Sequence, residues 1–135
     1  MTPEYAAGFF DGEGCVNCSS SRNNSFIRIL VVNTNLEILQ RFQAVWGGDI
    51  NPNYKSKAHW KQAYTWRLQH NAAAKFLSEI LPFLVVKRQQ AEAAILFNQI
   101  KPGQGNKWNE QSKLQANELI EKIKKCNKKG VEING

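Results

Sequence analysis

Residues 6–14 decide our interpretation of this chain, and they read Ala6-Ala7-Gly8-Phe9-Phe10-Asp11-Gly12-Glu13-Gly14. Upstream of them, Thr2 can cap a helix and Pro3 suits the first helical position, so we predict a short helix over about residues 3–10. The small residues in this stretch leave one side of the helix almost bare. A second backbone can therefore approach the helix very closely.

Two acids follow at the end of this predicted helix. The C-terminal end of a helix is electronegative, so Asp11 and Glu13 are unfavourable there unless a cation compensates them. Gly12 and Gly14 are predicted to turn the chain. Mg²⁺ prefers carboxylate and carbonyl oxygens, which indicates a metal site built on Glu13 with the Gly12 carbonyl as second candidate ligand. From the residues alone, a glycine-rich turn with two solvated acids stays open as an alternative.

The nonapeptide resembles the signature of the LAGLIDADG homing endonucleases. Ala7, Gly8 and Asp11 match that signature directly. The other positions carry related residues, with Ala6 at the leading Leu, Phe9 and Phe10 at the two apolar places, Gly12 at the second Ala, Glu13 at the second acid and Gly14 at the end. The segment therefore resembles the whole signature, with conservative changes.

In that family two such helices pack side by side, and each delivers its last acid to a cleavage centre. The resemblance implies that Glu13 is a catalytic metal ligand and that Asp11 is a secondary catalytic residue that helps to fix the corner. It also implies a homodimer, because the chain carries one signature and cutting two strands needs two acids. The helix face expected at the dimer interface consists of Ala6, Ala7, Gly8 and Phe10.

Two further side chains join the expected catalytic site by resemblance. The sequence Leu81-Pro82-Phe83-Leu84-Val85-Val86-Lys87 resembles the family's helix entry, whose Lys faces the active site and helps to position water or offset developing charge. For Lys87, an ordinary basic residue on a solvated helix turn stays open as the alternative. Asn33 ends the second predicted strand, where the family commonly has a Gln beside the metal's water shell. A simple strand-end turn residue is an equally open interpretation of Asn33.

The remaining pattern predicts a helix, two strands, a helix, two strands and further helices. The predicted strands cover residues 15–21, 26–33, 49–54 and 61–69, with a turn at 22–25 and a basic loop at 55–60. Further helices are predicted over 36–45, from a cap at His70 or Asn71 to residue 80, over 83–100 and over about 109–126. The last of these is expected to turn Leu114, Leu119, Ile120 and Ile123 towards the core.

This order resembles the αββαββα core of the family over about residues 3–100. We therefore predict an α+β fold in a single domain, 1–135, whose antiparallel sheet forms a DNA-binding saddle. Extra helices follow at the C-terminus, with a loop at 101–107 and a solvated tail at 127–135. At 135 residues with 42% apolar composition, the chain is long enough for one core.

The charge distribution favours a nucleic-acid partner. The net charge is +7, yet residues 1–14 carry three acids and no base, whereas residues 15–70 carry seven bases against two acids. An acidic corner beside a basic, strand-rich middle fits a phosphate-binding surface with a metal at its centre. The candidate DNA-binding residues on the strands and their tips are Asn17, Ser19, Ser21, Asn23, Asn24, Arg28, Tyr54, Lys55, Lys57, Lys61, Tyr64 and Arg67.

The cysteines do not indicate a metal or redox centre. Cys15 and Cys18 have the Cys-x-x-Cys spacing, but no second pair completes a zinc site, and Cys126 makes the count odd. We see no apolar run long enough to cross a membrane, no secretion signal and no transit peptide. We therefore expect reduced thiols and an intracellular protein that acts where it is made, in a bacterial or phage-infected cytoplasm, a chloroplast or a mitochondrion.

Together these features predict a homodimeric, Mg²⁺-dependent, intron-encoded homing endonuclease that makes a double-strand break in a long pseudo-palindromic DNA target. The first alternative is an RNA maturase on the same scaffold, which would bind intron RNA and assist splicing. The second is a non-catalytic DNA-binding regulator, against which Glu13 counts, because a carboxylate facing DNA weakens binding unless a cation is present.

Overall fold

A computed structural model describes residues 1–21, 24–55, 57–102 and 108–128. In chain order, its elements are α1 (Pro3–Glu13), β1 (Gly14–Ser21), β2 (Asn24–Asn33), α2 (Leu36–Trp46), β3 (Asp49–Pro52), β4 (Tyr64–Gln69), α3 (His70–Ile80), a 3₁₀ turn (Leu81–Phe83), α4 (Arg88–Ile100) and α5 (Glu110–Asn127). The predicted α+β class and the αββαββα order are confirmed. The predicted turn at 22–25, loop at 101–107 and tail at 127–135 fall partly outside the described residues.

The four strands form one antiparallel sheet in the order β1-β2-β4-β3. Its two faces differ because side chains alternate along each strand. Ile27, Ile29 and Val31 of β2 are fully buried, as are Val16 of β1 and Trp66 of β4. The helices contact the strands on this apolar face. We call the opposite side, whose side chains are half-buried or exposed, the open face.

Three helices begin with a side-chain cap from a residue type that favours this position. The Thr2 hydroxyl accepts from the Tyr5 N–H at 3.1 Å, and the Asn35 side chain accepts from the Ile38 N–H at 3.1 Å. Asn109 likewise accepts from the Ser112 N–H at 2.7 Å at the start of α5. Helix α3 differs from the prediction, because His70 is already its first residue and Gln69 precedes it without a side-chain cap bond.

An aromatic cluster in the core fixes the corner between α1 and β1. Phe42 lies 5.0 Å from Trp66 between ring centroids, and Phe76 lies 5.5 Å from Phe10. The Phe10 ring lies directly against the backbone of Gly14, so any Cβ at residue 14 would overlap the ring. Gly14 therefore lets the chain pass from α1 into β1 without a gap beneath Phe10.

Several predicted element bounds are corrected by tertiary contacts. Helix α1 continues to Glu13 instead of ending at residue 10, and α4 begins at Arg88 instead of residue 83. In α5, Leu114 is 66% exposed and is not a core residue, whereas Ala116 is buried. Asn127 belongs to α5 and not to the tail, and its side chain donates to the Val16 carbonyl at 2.8 Å. That bond attaches the end of α5 to the edge strand β1.

Candidate active site and nucleic-acid interface

The end of α1 is tied to a segment that lies more than seventy residues later in the sequence. The Asp11 carboxylate accepts the backbone N–H groups of Val85 at 2.8 Å, Val86 at 3.1 Å and Lys87 at 3.0 Å. In return, Lys87 Nζ donates to the Asp11 carbonyl at 2.9 Å. These four bonds explain both corrected helix bounds. The acid holds 84–87 out of a helix, and the ammonium completes the last turn of α1.

Lys87 provides a positive charge at the end of α1, on the carbonyl of Asp11. Its side chain is buried, with 7% of the residue exposed, and its ammonium contacts a carbonyl that a helix end leaves without an intrahelical donor. A positive charge at this point also opposes the negative end of the helix dipole. The interpretation of Lys87 as a basic residue on a solvated helix turn is therefore wrong.

Glu13 ends α1 on the exposed side of the same corner. Both Glu13 and Gly12 are exposed, and within the described ranges no hydrogen bond or ion pair engages the Glu13 carboxylate. Because Gly14 pairs with Val31, the chain at Glu13 lies near the end of β2 that carries Val32, an open-face residue. Lys87 and Asp11 thus fix the corner, while Glu13 projects from it.

The corner provides an incomplete ligand set for a hard dication. Among the described residues no group of three His, Cys, Asp or Glu side chains could hold a metal ion. One exposed carboxylate and one exposed carbonyl nevertheless fit the oxygen preference of Mg²⁺, which commonly keeps waters and takes phosphate oxygens as its other ligands. The residues present therefore fit a Mg²⁺ ion that is completed by ligands from outside this chain.

Asn33 points away from this corner. It shares the strand parity of the buried Ile29 and Val31, so its side chain lies on the helix side of the sheet. The side-chain Oδ1 of Asn33 accepts the Asn35 N–H at 2.8 Å, and Asn33 lines a groove of about 560 Å³ between α1 and α2. In this structure Asn33 is a strand-end turn residue. The side chain that β2 presents to the open face at this level is Val32, which has no amide.

The open face presents polar side chains in rows that cross the sheet. Asn17, Arg28 and Gln69 form one row at the level of the β1–β2 hairpin. Nearer the Glu13 corner, a second row contains Leu30, Arg67 and Asp49, and a third contains Val32, Thr65 and Asn51. Within these rows, neighbouring Cβ atoms are close enough for long side chains to read adjacent base edges or phosphates.

Most of the predicted DNA-binding residues that can be placed are accessible. Asn17, Arg28 and Arg67 lie on the open face. Tyr54, Lys55, Lys57 and Lys61 are exposed in the loop after β3, where Tyr54 is 91% exposed. Asn23 lies outside the described residues, and only the backbone of Ser19, Ser21 and Asn24 is described.

Tyr64, a predicted DNA-binding residue, does not lie on the open face. It pairs with Asn33 and packs against the core on the helix side, where it cannot share a surface with Arg67. The predicted DNA-binding set lacks Asp49, Asn51, Thr65 and Gln69, which lie on the open face. Strict alternation through Tyr64–Gln69 would have found two of them, because Thr65, Arg67 and Gln69 alternate with Tyr64, Trp66 and Leu68.

Solved structures with similar architecture are homing endonucleases. The homing endonuclease I-CvuI, in complex with its target in the presence of Ca, matches with a TM-score of 0.74 and 20% identity over 95% of this chain and 83% of that chain. The archaeal intron-encoded homing endonuclease I-Vdi141I, complexed with DNA, has a TM-score of 0.71 and 19% identity over 95% of this chain and 85% of that chain.

A third match carries the signature in its name. The I-SmaMI LAGLIDADG homing endonuclease bound to cleaved DNA has a TM-score of 0.66 and 18% identity, over 88% of this chain and 42% of that chain. This chain has the LAGLIDADG homing endonuclease fold. No protein-family model and no curated protein matches it by sequence.

Within this LAGLIDADG fold, the signature helix α1 turns most of its predicted dimer face inward. Ala6, Ala7 and Phe10 are fully buried against the chain's own core, so a second copy cannot contact them. Of the four predicted interface residues only Gly8 is exposed, and it shares the outer side of α1 with Tyr5 and Gly12. The prediction is wrong for these three residues because they face the chain's own core, which the two alanines let α1 approach closely.

The two cysteines of β1 lie on opposite faces of the sheet. Cys15 lies on the open face of β1, whereas Cys18 packs against the core on the helix side, so the Cys-x-x-Cys spacing does not bring the two thiols together. Burial raises the pKa of the Cys18 thiol to about 11, against the opposing effect of Lys101 and Lys124.

No helix in the described parts of the chain has the length and apolar character needed to cross a bilayer.

Proposed function

We propose that this protein is a site-specific DNA endonuclease of the homing type. It acts as a homodimer and makes a double-strand break in a long pseudo-palindromic target by Mg²⁺-dependent hydrolysis. By its resemblance to the family, it is encoded within an intron. The proposal depends chiefly on one observation, namely an exposed carboxylate at the margin of a polar, basic sheet face, next to a buried lysine that neutralises the same helix end.

Each residue of this corner has a separate part in the proposed reaction. Glu13 and the Gly12 carbonyl would hold the cation against the scissile phosphate. When bound, Mg²⁺ supplies charge neutralisation and a more acidic water. Lys87 brings its positive charge to within two residues of Glu13 along α1 and favours the negative charge that develops on the phosphate. Asp11 is a positioning residue, because its carboxylate holds the backbone of Lys87 in place.

The open face would read the sequence of the target. Its side chains include two arginines and several amides, the residue types that bond guanine and adenine edges in the major groove. The exposed lysines of the loop between β3 and β4 would contact phosphates, which adds affinity without sequence preference. One chain would then cover about one helical turn of DNA, and two copies would cover a pseudo-palindrome.

The outer side of α1 supports the homodimer. Gly8 and Gly12 lie one turn apart on it, and a Cβ added at either residue would meet nothing within 4 Å. Each glycine destabilises a helix interior by about 1 kcal/mol relative to alanine, so this chain alone gains nothing from them. Val85, 80% exposed, and Val86, 69% exposed, are bound through their N–H groups to Asp11 at the end of the same helix. A second α1 could pack closely against such a surface and bring the two Glu13 residues together.

A cleavage selection tests the proposed activity. The wild type and Glu13→Gln would each be incubated with a large library of palindromic duplexes, in Mg²⁺ and in Ca²⁺, and the cut ends sequenced. We expect the wild type to cut one related set of sequences in Mg²⁺ only, with a loss of at least about a thousandfold in Glu13→Gln. Glu4→Gln is the matched control, since Glu4 is an exposed acid in the first turn of the same helix.

Other outcomes of this selection would replace the proposal. If both proteins capture one sequence in Ca²⁺ and neither cuts in Mg²⁺, the protein is a DNA-binding regulator and the argument for a metal at Glu13 fails. If neither protein captures any duplex while intron RNA is retained, the maturase alternative replaces the endonuclease.

A separate experiment tests the dimer. Gly8→Gln adds a long side chain where this chain leaves open space, so the monomer should gain roughly 0.5–1 kcal/mol of stability from helix propensity. The same side chain would separate two packed α1 helices, and we expect the dimer dissociation constant to rise at least about tenfold in sedimentation equilibrium. Ser78→Gln, at an exposed position of α3, is the control. Equal dissociation constants for the wild type and Gly8→Gln would exclude α1 from the interface.

A further inference from the structure

Arg67 of β4 faces an acid across the sheet. Asp49 of β3 is its direct partner in the register, and Asp49 Oδ2 lies 3.5 Å from Arg67 Nη2. The Asp49 side chain is 70% exposed and that of Arg67 36% exposed. Along the described strands, Asp49 is the one acid that the open face presents. It therefore stands where DNA phosphates would approach, and its charge opposes them.

The backbone holds Asp49 in this place. Gly47 and Gly48 both have positive φ values, +78° and +92°, which glycine adopts most readily. The Trp66 indole N–H donates to the Gly47 carbonyl at 2.7 Å, and the Gln43 amide donates to the Gly48 carbonyl at 3.0 Å. A Cβ at residue 48 would overlap the Arg67 carbonyl. The start of β3 is thus fixed against the backbone of the residue that Asp49 faces.

The contact between Asp49 and Arg67 contributes little to folding stability. An ion pair at 3.5 Å with both side chains partly in water is largely screened, and a carboxylate on this face weakens the attraction for DNA. The contact instead affects the direction in which the Arg67 guanidinium points. Arg67 Nε is buried and has no hydrogen-bond partner among the described residues, and the head group contacts Asp49 through Nη2. Because a guanidinium carries five N–H donors, one contact with Asp49 leaves enough of them for a base edge.

We propose that Asp49 is a positioning residue for specificity, which orients Arg67 so that Arg67 reads one guanine in each half-site. This inference depends on the proposed endonuclease and refines how its open face reads DNA. Arginine donates two parallel hydrogen bonds to guanine O6 and N7, a geometry that requires a fixed guanidinium plane. Asp49 lowers the general affinity of the open face for DNA, but it fixes the plane of the Arg67 guanidinium.

The test is a competition-binding profile in Ca²⁺ across all substitutions of the selected half-site. The wild type should prefer guanine at one base pair by about 5- to 150-fold, and Arg67→Ala should lose this preference. Asp49→Asn should lower it at least about fivefold at the same base pair only, while affinity for unrelated DNA stays equal or rises. In the Arg67→Ala background, Asp49→Asn should change that base pair no further.

Glu79→Gln is the matched control, because it removes one exposed acid from α3 on the helix side of the sheet. It should leave the profile unchanged. An unaltered guanine preference in Asp49→Asn, or an equal loss at every base pair, would overturn this inference while leaving the endonuclease intact. Absence of any sequence-selective binding by the wild type would instead overturn the proposed function, and this inference with it.

Discussion

The C-terminal ends of α1 and α5 carry opposite charges. Helix α5 ends with Lys124 and Lys125 in its last turn, the arrangement that the helix dipole favours. Helix α1 ends with Asp11 and Glu13 and has no base in its last turn. Its compensating cation, Lys87, comes from the start of α4. The end of α5 is thus stabilised by its own sequence, whereas the end of α1 depends on a tertiary contact.

This difference separates stability from function at the α1 corner. The negative charge of Asp11 is compensated within the fold. Its carboxylate accepts three backbone N–H groups, and the Lys87 ammonium donates to the carbonyl of the same residue. Glu13 has no compensating hydrogen bond or ion pair within the described residues and is exposed. A residue that opposes the helix dipole without a compensating contact is a candidate for binding a ligand from outside the chain.

Replacing Asp11 should lower the unfolding free energy more than the other substitutions below. Asp11→Ala removes the acceptor of three backbone N–H bonds, two of them exposed, so we expect a loss of roughly 3 kcal/mol of unfolding free energy. Asp11→Asn keeps one carbonyl oxygen and should lose less. Urea denaturation measures both variants. If Asp11→Ala unfolds at the same urea concentration as the wild type, Asp11 does not hold the corner together.

Lys87→Met tests the cation. Methionine keeps much of the buried aliphatic stem but removes the ammonium from the Asp11 carbonyl, so the fold should lose about 1–2 kcal/mol. Cleavage in Mg²⁺ should fall at least about a hundredfold, while binding of the target in Ca²⁺ is retained. Lys75→Met, at an exposed position of α3, should change neither. Cleavage at the wild-type rate by Lys87→Met would restrict Lys87 to a structural part.

A matched pair of charge removals compares the two helix ends directly. Glu13→Gln should raise the unfolding free energy by about 0.3–1 kcal/mol at low ionic strength, because it removes an acid from a negative helix end. Lys125→Gln should lower it by a similar amount at the end of α5. Both differences should shrink in 1 M salt, where charges are screened within roughly 3 Å. A destabilised Glu13→Gln variant would mean that Glu13 contributes to folding.

The reactivity of the Cys18 thiol depends on burial and on the charge of Lys124 in α5. Burial raises the pKa of this thiol to about 11, and the positive charges of Lys101 and Lys124 act in the opposite direction. Since the thiolate is the reactive form, Cys18 should resist alkylation below about pH 10 in the folded protein. Lys124→Gln should raise the pKa further and slow alkylation at pH 10–11, followed by mass spectrometry. Faster alkylation of Cys18 in that variant would contradict this assignment.

The sequence predicts the features of this fold that depend on near neighbours. Thr2, Asn35 and Asn109 cap their helices through bonds to N–H groups three residues ahead, and the order of helices and strands follows from hydrophobic periodicity. The nine-residue signature predicts the LAGLIDADG fold, which is confirmed. Such features are readable because the residues that determine them lie within one turn or one strand of each other.

The features that the sequence did not predict depend on distant contacts. The extension of α1 and the late start of α4 both follow from the bonds between Asp11 and residues 85–87, which no local pattern signals. The inward orientation of Ala6 and Ala7 depends on how α1 packs on its own core. The direction of the Asn33 side chain, by contrast, follows from strand parity alone, which the sequence contains.

Crystallography with Mn²⁺ would show whether Glu13 binds a divalent cation against DNA. The protein would be crystallised with its selected duplex, and anomalous density would locate the ion. We expect a peak within bonding distance of the Glu13 carboxylate and a target phosphate, and no such peak in Glu13→Gln. A cleaved duplex with Glu13 turned to solvent and the ion held elsewhere would exclude Glu13 as the metal ligand.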